Sequence, residues 1–161
     1  MRNPTVQLLK KENYLAMARN AAKGENRMFQ NLFALVDGNR QDIVDGGALG
    51  CSFFLSGLLY INKLIKDMHA NMVGLEKDLA DSGWVQTQEL NEGAVVVWEP
   101  RPPKKERPFD PTQLHAGIFI GNDQVVSNDS TNALVPREFP TSYDGTRKII
   151  RIWWHPVLDE A

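Results

Sequence analysis

The hydrophobic positions of this chain change period near residue 90. Before that point they recur at helical spacing. Pro4 to Ala22 predicts a first helix, with Pro4 near its start and Gly24 as its stop. Met28, Leu32, Leu35 and Val36 predict a second, ended by Asp37-Gly38-Asn39. Asp42 to Gly50 reads as a loop in which Gly46-Gly47 supplies backbone freedom. A third helix is predicted from Cys51 to Lys66. Phe53, Phe54, Leu55, Leu58, Leu59, Ile61, Leu64 and Ile65 leave it almost no polar face, which marks it as central and buried. A fourth covers Asn71 to Asp81 and ends at Ser82-Gly83.

After residue 90 the pattern belongs to strands. Gly93-Ala94-Val95-Val96-Val97-Trp98 is a β-branched run suited to a central strand. Pro102, Pro103 and Pro108 exclude a regular element between Pro100 and Pro111. His115 to Ile120 is the next strand. Gly121-Asn122-Asp123 turns it into Gln124 to Asn128 as a hairpin. Arg147 to Trp154 alternates isoleucines with basic residues and is a late strand. Helices followed by an antiparallel meander predict an α+β fold. Residues 1–40 are expected to form a helical segment packed on a catalytic unit of 41–161.

Composition narrows the possibilities. The chain has 161 residues, enough for one ordinary core, and a formal net charge of −2. That balance implies no pull toward nucleic acid or anionic membranes. No apolar run approaches the roughly 18 residues of a membrane span. Met1 to Lys11 lacks the apolar core of a secretion signal. As it stands the chain reads as cytoplasmic, or as exported where a leader has been removed. One cysteine excludes an internal disulfide.

That cysteine carries the candidate chemistry. Cys51 follows the small-residue stretch Gly46-Gly47-Ala48-Leu49-Gly50 and opens the apolar helix. Free N–H groups and the positive dipole end would stabilise a thiolate there. His115 opens a strand downstream, and thiol first with imidazole later is the order of papain-like enzymes. The bland reading stands beside it: a small buried cysteine and a histidine at a strand end. His69 reads either as a cleft residue or as a solvated helix-end histidine, and His155 as structural. The three histidines lack zinc-ligand spacing, so neither metal nor cofactor is expected. Lys104, Lys105 and Arg107 make the proline-rich segment either a lid or a solvated loop. Trp98, Trp153 and Trp154 read as core and sheet-face aromatics.

Cys51-Ser52 opening an apolar helix, the Gly93–Trp98 run and His115-Ala116-Gly117-Ile118-Phe119-Ile120-Gly121-Asn122 together resemble the NlpC-type cell-wall cysteine peptidases. They are also similar to the related CHAP amidases. The resemblance covers about residues 40 to 130. It implies a papain-like fold and thioacyl hydrolysis of an amide bond, with a peptide or peptidoglycan stem peptide as substrate. Cys51 would be the nucleophile and His115 the general base and acid. Ser52 and Gly50 would lie beside the substrate, with His69 further along the cleft. A third polar residue on the following strand would orient the histidine. Register points to Ser127 and amide chemistry to Asn128. Strand alternation puts the two on opposite faces. The chain departs from the family pattern at Gly50, where an aspartate is usual, at Gly93-Ala94 for Gly-Asp, and at Phe53 for glycine. It also lacks a counterpart of the upstream substrate-contacting tyrosine. These departures leave nucleophile and base in place and alter the flanks that meet the stem peptide. Transfer of the acyl group to an amine, and a peptide-binding module without catalysis, are the competing functions.

Overall fold

The computed structural model describes residues 1–159; residues 160 and 161, the end of the expected catalytic unit, lie outside the described residues. Helices α1 (Lys10–Ala21), α2 (Cys51–Ile61) and α3 (Met72–Asp81) accompany eight strands. A small hairpin pairs β1 (Phe33–Val36) with β2 (Asn39–Asp42). The remaining strands are β3 (Val85–Gln86), β4 (Val95–Trp98), β5 (His115–Gly121), β6 (Gln124–Asn128), β7 (Pro136–Pro140) and β8 (Ile149–Trp154). They form one antiparallel sheet in the order β3-β8-β4-β5-β6-β7. The fold is α+β. No helix among the described residues is long and apolar enough to cross a membrane.

The expected second helix is a hairpin. Asp37 and Gly38 both take positive φ, 50° and 81°. That is the backbone of a tight primed turn, for which Asp-Gly is a strong signal. Asp42 then closes the hairpin's base. Its carboxylate accepts from the backbone N–H of Leu32, Val44 and Gly46 and from the Asn31 amide. The expected loop of 42–50 is therefore pinned at its start, and it contains a short 3₁₀ turn at Asp45–Gly47.

α1 begins at Lys10, not Pro4, and residues 1–9 have no regular structure. Its Tyr14, Leu15, Ala18 and Ala21 enter the main core, and the Tyr14 hydroxyl donates to Gly93 O at 2.9 Å. α2 stops five residues before the expected Lys66. Lys63 adopts the left-handed conformation, and its N–H returns to Tyr60 O while that of Leu64 returns to Leu59 O. Those two bonds satisfy the last carbonyls and end the helix. The strand pattern missed β3 and β7, both short edge strands.

α2 packs on β5 and β6. Val95, Val97, Ala116, Ile118 and Val126 face it in the main core. Val96, Trp98, Phe119 and Val125 form a second cluster on the opposite face of the sheet. Cys51 is the first residue of α2 and His115 the first of β5, so both lie at an open end of the layers.

Candidate active site

Cys51 starts α2 after Gly50, which caps the helix with no side-chain hydrogen bond. The first N–H groups of the helix are thus free of side-chain partners beside the sulfur. Gly50 is buried and does not line the cavity beside Cys51. A Cβ there would lie 3.2 Å from Asn128 Nδ2 and 3.3 Å from Gly47 O. An aspartate at this position would crowd the loop, so Gly50 serves as backing, in contrast to the expected substrate contact.

His115 is 3 % exposed and sits directly across from Trp98 in the ladder. The two rings stack at 5.6 Å. Tyr143 meets His115 edge-on at 5.3 Å. Continuing the β5–β6 register places Gly117 opposite Ser127. A Cβ on Gly117 would lie 2.5 Å from Val126 O and 2.9 Å from the Ser127 Cβ. The bare glycine lets the ring two residues earlier lean onto Ser127. Ser127 Oγ lies 2.8 Å from His115 Nε2 and donates to Ala116 O at 2.7 Å.

Those two bonds assign the imidazole tautomer. A serine hydroxyl has one hydrogen, and it is committed to Ala116 O. Ser127 must therefore accept from Nε2–H, so Nδ1 holds the lone pair. Among the described residues Nδ1 has no hydrogen-bond partner. Among the described residues no buried side-chain nitrogen or oxygen lacks one, and His115 lines the cavity, so Nδ1 reaches the cavity. The base is aimed at the space Cys51 shares.

That space is a cavity of about 670 Å³, within the range for small-ligand sites. Cys51, Ser52 and His115 line it with Ala70, Asn71 and Met72 from the start of α3. Cys51 is partly buried, and its sulfur lies 3.9 Å from Ser52 Oγ and 3.9 Å from Leu114 O. No hydrogen bond joins it to the imidazole. Burial pushes the thiol up, against the pull of the Ser52 side chain, the Ala116 N–H and Arg147. Burial, with the charges of Arg147 and Arg101, pushes His115 well below its ordinary value. Both shifts, up for the thiol and down for the imidazole, favour the uncharged forms over the expected thiolate.

Asn128 does not reach the imidazole through any hydrogen bond. Its amide donates to Gly47 O at 2.8 Å and to Ser130 Oγ at 3.1 Å, holding the loop before Cys51. His69 also leaves the cleft. Its Nε2 lies 2.7 Å from Asp78 Oδ2, in a network with Ser82 and the N–H groups of Lys66 and Asp67. Burial of Asp78 is outweighed by His69 and those donors, which hold the carboxyl down to about 2. His155 is tied to Ser82 O and Val157 N.

Sequence reasoning missed three residues here, Tyr143, Arg147 and Arg101, and named Arg107 only as part of a lid or solvated loop. Tyr143 packs on His115, and its hydroxyl lies 3.4 Å from Nε2. Arg147 lies beside Tyr143, 5.0 Å from the ring. Arg101 and Arg107 come from the proline-rich segment, which walls the cavity instead of standing off as a solvated loop. The basic character of that segment just ahead of His115 was the available signal. Comparison with protein-family models finds no matching family, and comparison with curated proteins finds no match.

Proposed function

We propose that this chain is a cysteine hydrolase with a papain-like fold, similar to the NlpC-type peptidases and CHAP amidases, that cleaves an amide bond in a peptide. The cell-wall stem peptide is the substrate that the resemblance implies. The observation that carries the reading is the His115 ring. Its Nε2–H is held by Ser127, and its Nδ1 faces the cavity that Cys51 lines.

In the cycle, Nδ1 takes the thiol proton as Sγ attacks the substrate carbonyl. The oxyanion forms beside the N–H of Cys51 at the head of α2. The imidazolium then gives its proton to the leaving amine, and a thioester remains on Cys51. Water activated by the same Nδ1 releases the acid. Starting from a neutral pair, proton transfer accompanies attack. A hydrolase does not need a bond between Sγ and the ring at rest, because catalytic hydrogen bonds commonly tighten only with substrate. The missing bond favours a second reading, a peptide-binding module on this fold.

Incubation with stem peptides, read by mass spectrometry, decides between them. The hydrolase reading expects fragments with the native chain and none with Cys51→Ala or His115→Ala. Binding of the peptide without fragments, unchanged in Cys51→Ala, overturns it. An added amine acceptor shows by its adduct whether the thioester passes to water or to an amine.

A further inference from the structure

Arg147 is 6 % exposed and lines the cavity. Among the described residues its side chain makes one hydrogen bond, a long one from Nη1 to Glu99 O at 3.5 Å. Among the described residues no carboxylate forms an ion pair with it, nor with Arg101 or Arg107 in the same cavity wall. Arg101 is bonded to the Thr131 hydroxyl and Arg107 to Pro102 O. One carboxylate, Asp110, lines the wall, and it is engaged by Thr112 of its own loop. Burying a guanidinium without a counter-ion is costly. The chain carries a net negative charge, so the grouping does not follow from composition. Arg147, Arg101 and Arg107 all line this one cavity, and burial pushes Arg147 down from its ordinary value. Because no buried side-chain nitrogen lacks a partner, the rest of the guanidinium opens on the cavity.

We propose that Arg147 and Arg101 bind a carboxylate of the substrate beside Cys51, so that the peptide cleaved carries a free acid group next to the scissile amide. This rests on the hydrolase reading and adds the substrate's charge. A guanidinium offers a planar fork that matches a carboxylate. The apolar lining of Ile43, Leu49 and Leu114 suits a peptide side chain and main chain better than a polyanion. The bound acid supplies the counter-ion Arg147 lacks.

Alkylation of Cys51 tests this without knowledge of the bond cleaved. Iodoacetate and iodoacetamide react alike: the Sγ–C bond forms, C–I breaks, iodide leaves and the thiol proton passes to His115. Only iodoacetate carries the acid group. The ratio of the two rates, referred to free cysteine in the same buffer, cancels changes in the thiol itself. The expected ratio is raised about tenfold, the effect of one charge-assisted hydrogen bond. It falls toward that of free cysteine in R147Q and R101Q. A native ratio equal to free cysteine overturns the proposal while leaving the hydrolase reading intact. So does a raised ratio unchanged in both variants, since the helix start would then be its source. If R147Q does not fold, R101Q at its partly exposed position decides alone. A Cys51 inert to both reagents overturns the hydrolase reading and this proposal with it.

Discussion

At the scale of residues, the site depends on which hydrogen sits where. Ser127 is fully buried and does two things with one hydroxyl: it donates to Ala116 O and accepts from His115 Nε2–H. Ser127→Ala leaves Nε2–H without its acceptor and frees the ring to choose the other tautomer. Turnover should fall by about tenfold or more, in kcat with KM little changed, the scale of one buried hydrogen bond. Equal kcat would remove Ser127 from the mechanism. His115 also sets a pH dependence. Its folded value is depressed, chiefly by burial. The imidazole's contribution to stability is full above its unfolded value of about 6.5. Below that, the unfolded chain takes up a proton that folded His115 refuses, so stability falls as pH drops toward the folded value. NMR titration should show this ring neutral at pH values where a free histidine is charged. A ring titrating near 6.5 would contradict the assignment. Residue types and chain order singled out Cys51 and His115, and the structure has both lining one cavity. The choice between Ser127 and Asn128 was not, because both types suit the role and only the face of β6 separates them. Arg147 was hidden because a basic residue at a strand start normally points to water.

Elements position these residues, and two of their joints are testable. Gly47 has φ of +102°, and a Cβ there would lie 2.6 Å from Leu134 O. Asn128 bonds to its carbonyl. Gly47→Ala should therefore cost about 2 kcal/mol or more in thermal or denaturant unfolding, through strain and a backbone clash together. A loss within 0.5 kcal/mol, the range usual for surface changes, would show that the loop before Cys51 is not held in this form. The second joint ties α3 to β8. Glu76 accepts two bonds from Arg151, at 2.7 and 2.5 Å, and one from Trp153 Nε1 at 2.9 Å. The pair is only partly exposed, so screening weakens it less than at the surface. Glu76→Ala should cost about 1–3 kcal/mol, and an unchanged unfolding midpoint would show that the clamp holds nothing. The buried helix α2 and strands β4 to β6 were legible because their apolar runs are long. The β1–β2 hairpin was not. Its hydrophobic spacing mimics a helix, and only the Asp37-Gly38 turn chemistry distinguishes the two. β3 and β7 lie at sheet edges, where little burial leaves little pattern.

The whole molecule brings a helix-borne thiol and a strand-borne imidazole together at one end of a layered fold. α2 lies on one face of the sheet, while His115 stacks on Trp98 of the other. The two groups can share a cavity only where the layers end, which is why both are first residues of their elements. The proline-rich segment closes that end with arginines, giving a negatively charged protein a positive cavity. The central claim is that His115 activates Cys51. Its most direct test is the rate of Cys51 alkylation by neutral iodoacetamide across pH, followed by mass spectrometry in the native chain and in His115→Ala. Base assistance by Nδ1 predicts a rate at neutral pH about a hundredfold higher in the native chain, at the low end of general-base effects of about 10²–10⁴. In His115→Ala the rate should rise only as the buried thiol itself ionises at higher pH. Superimposable profiles for the two proteins would contradict the account.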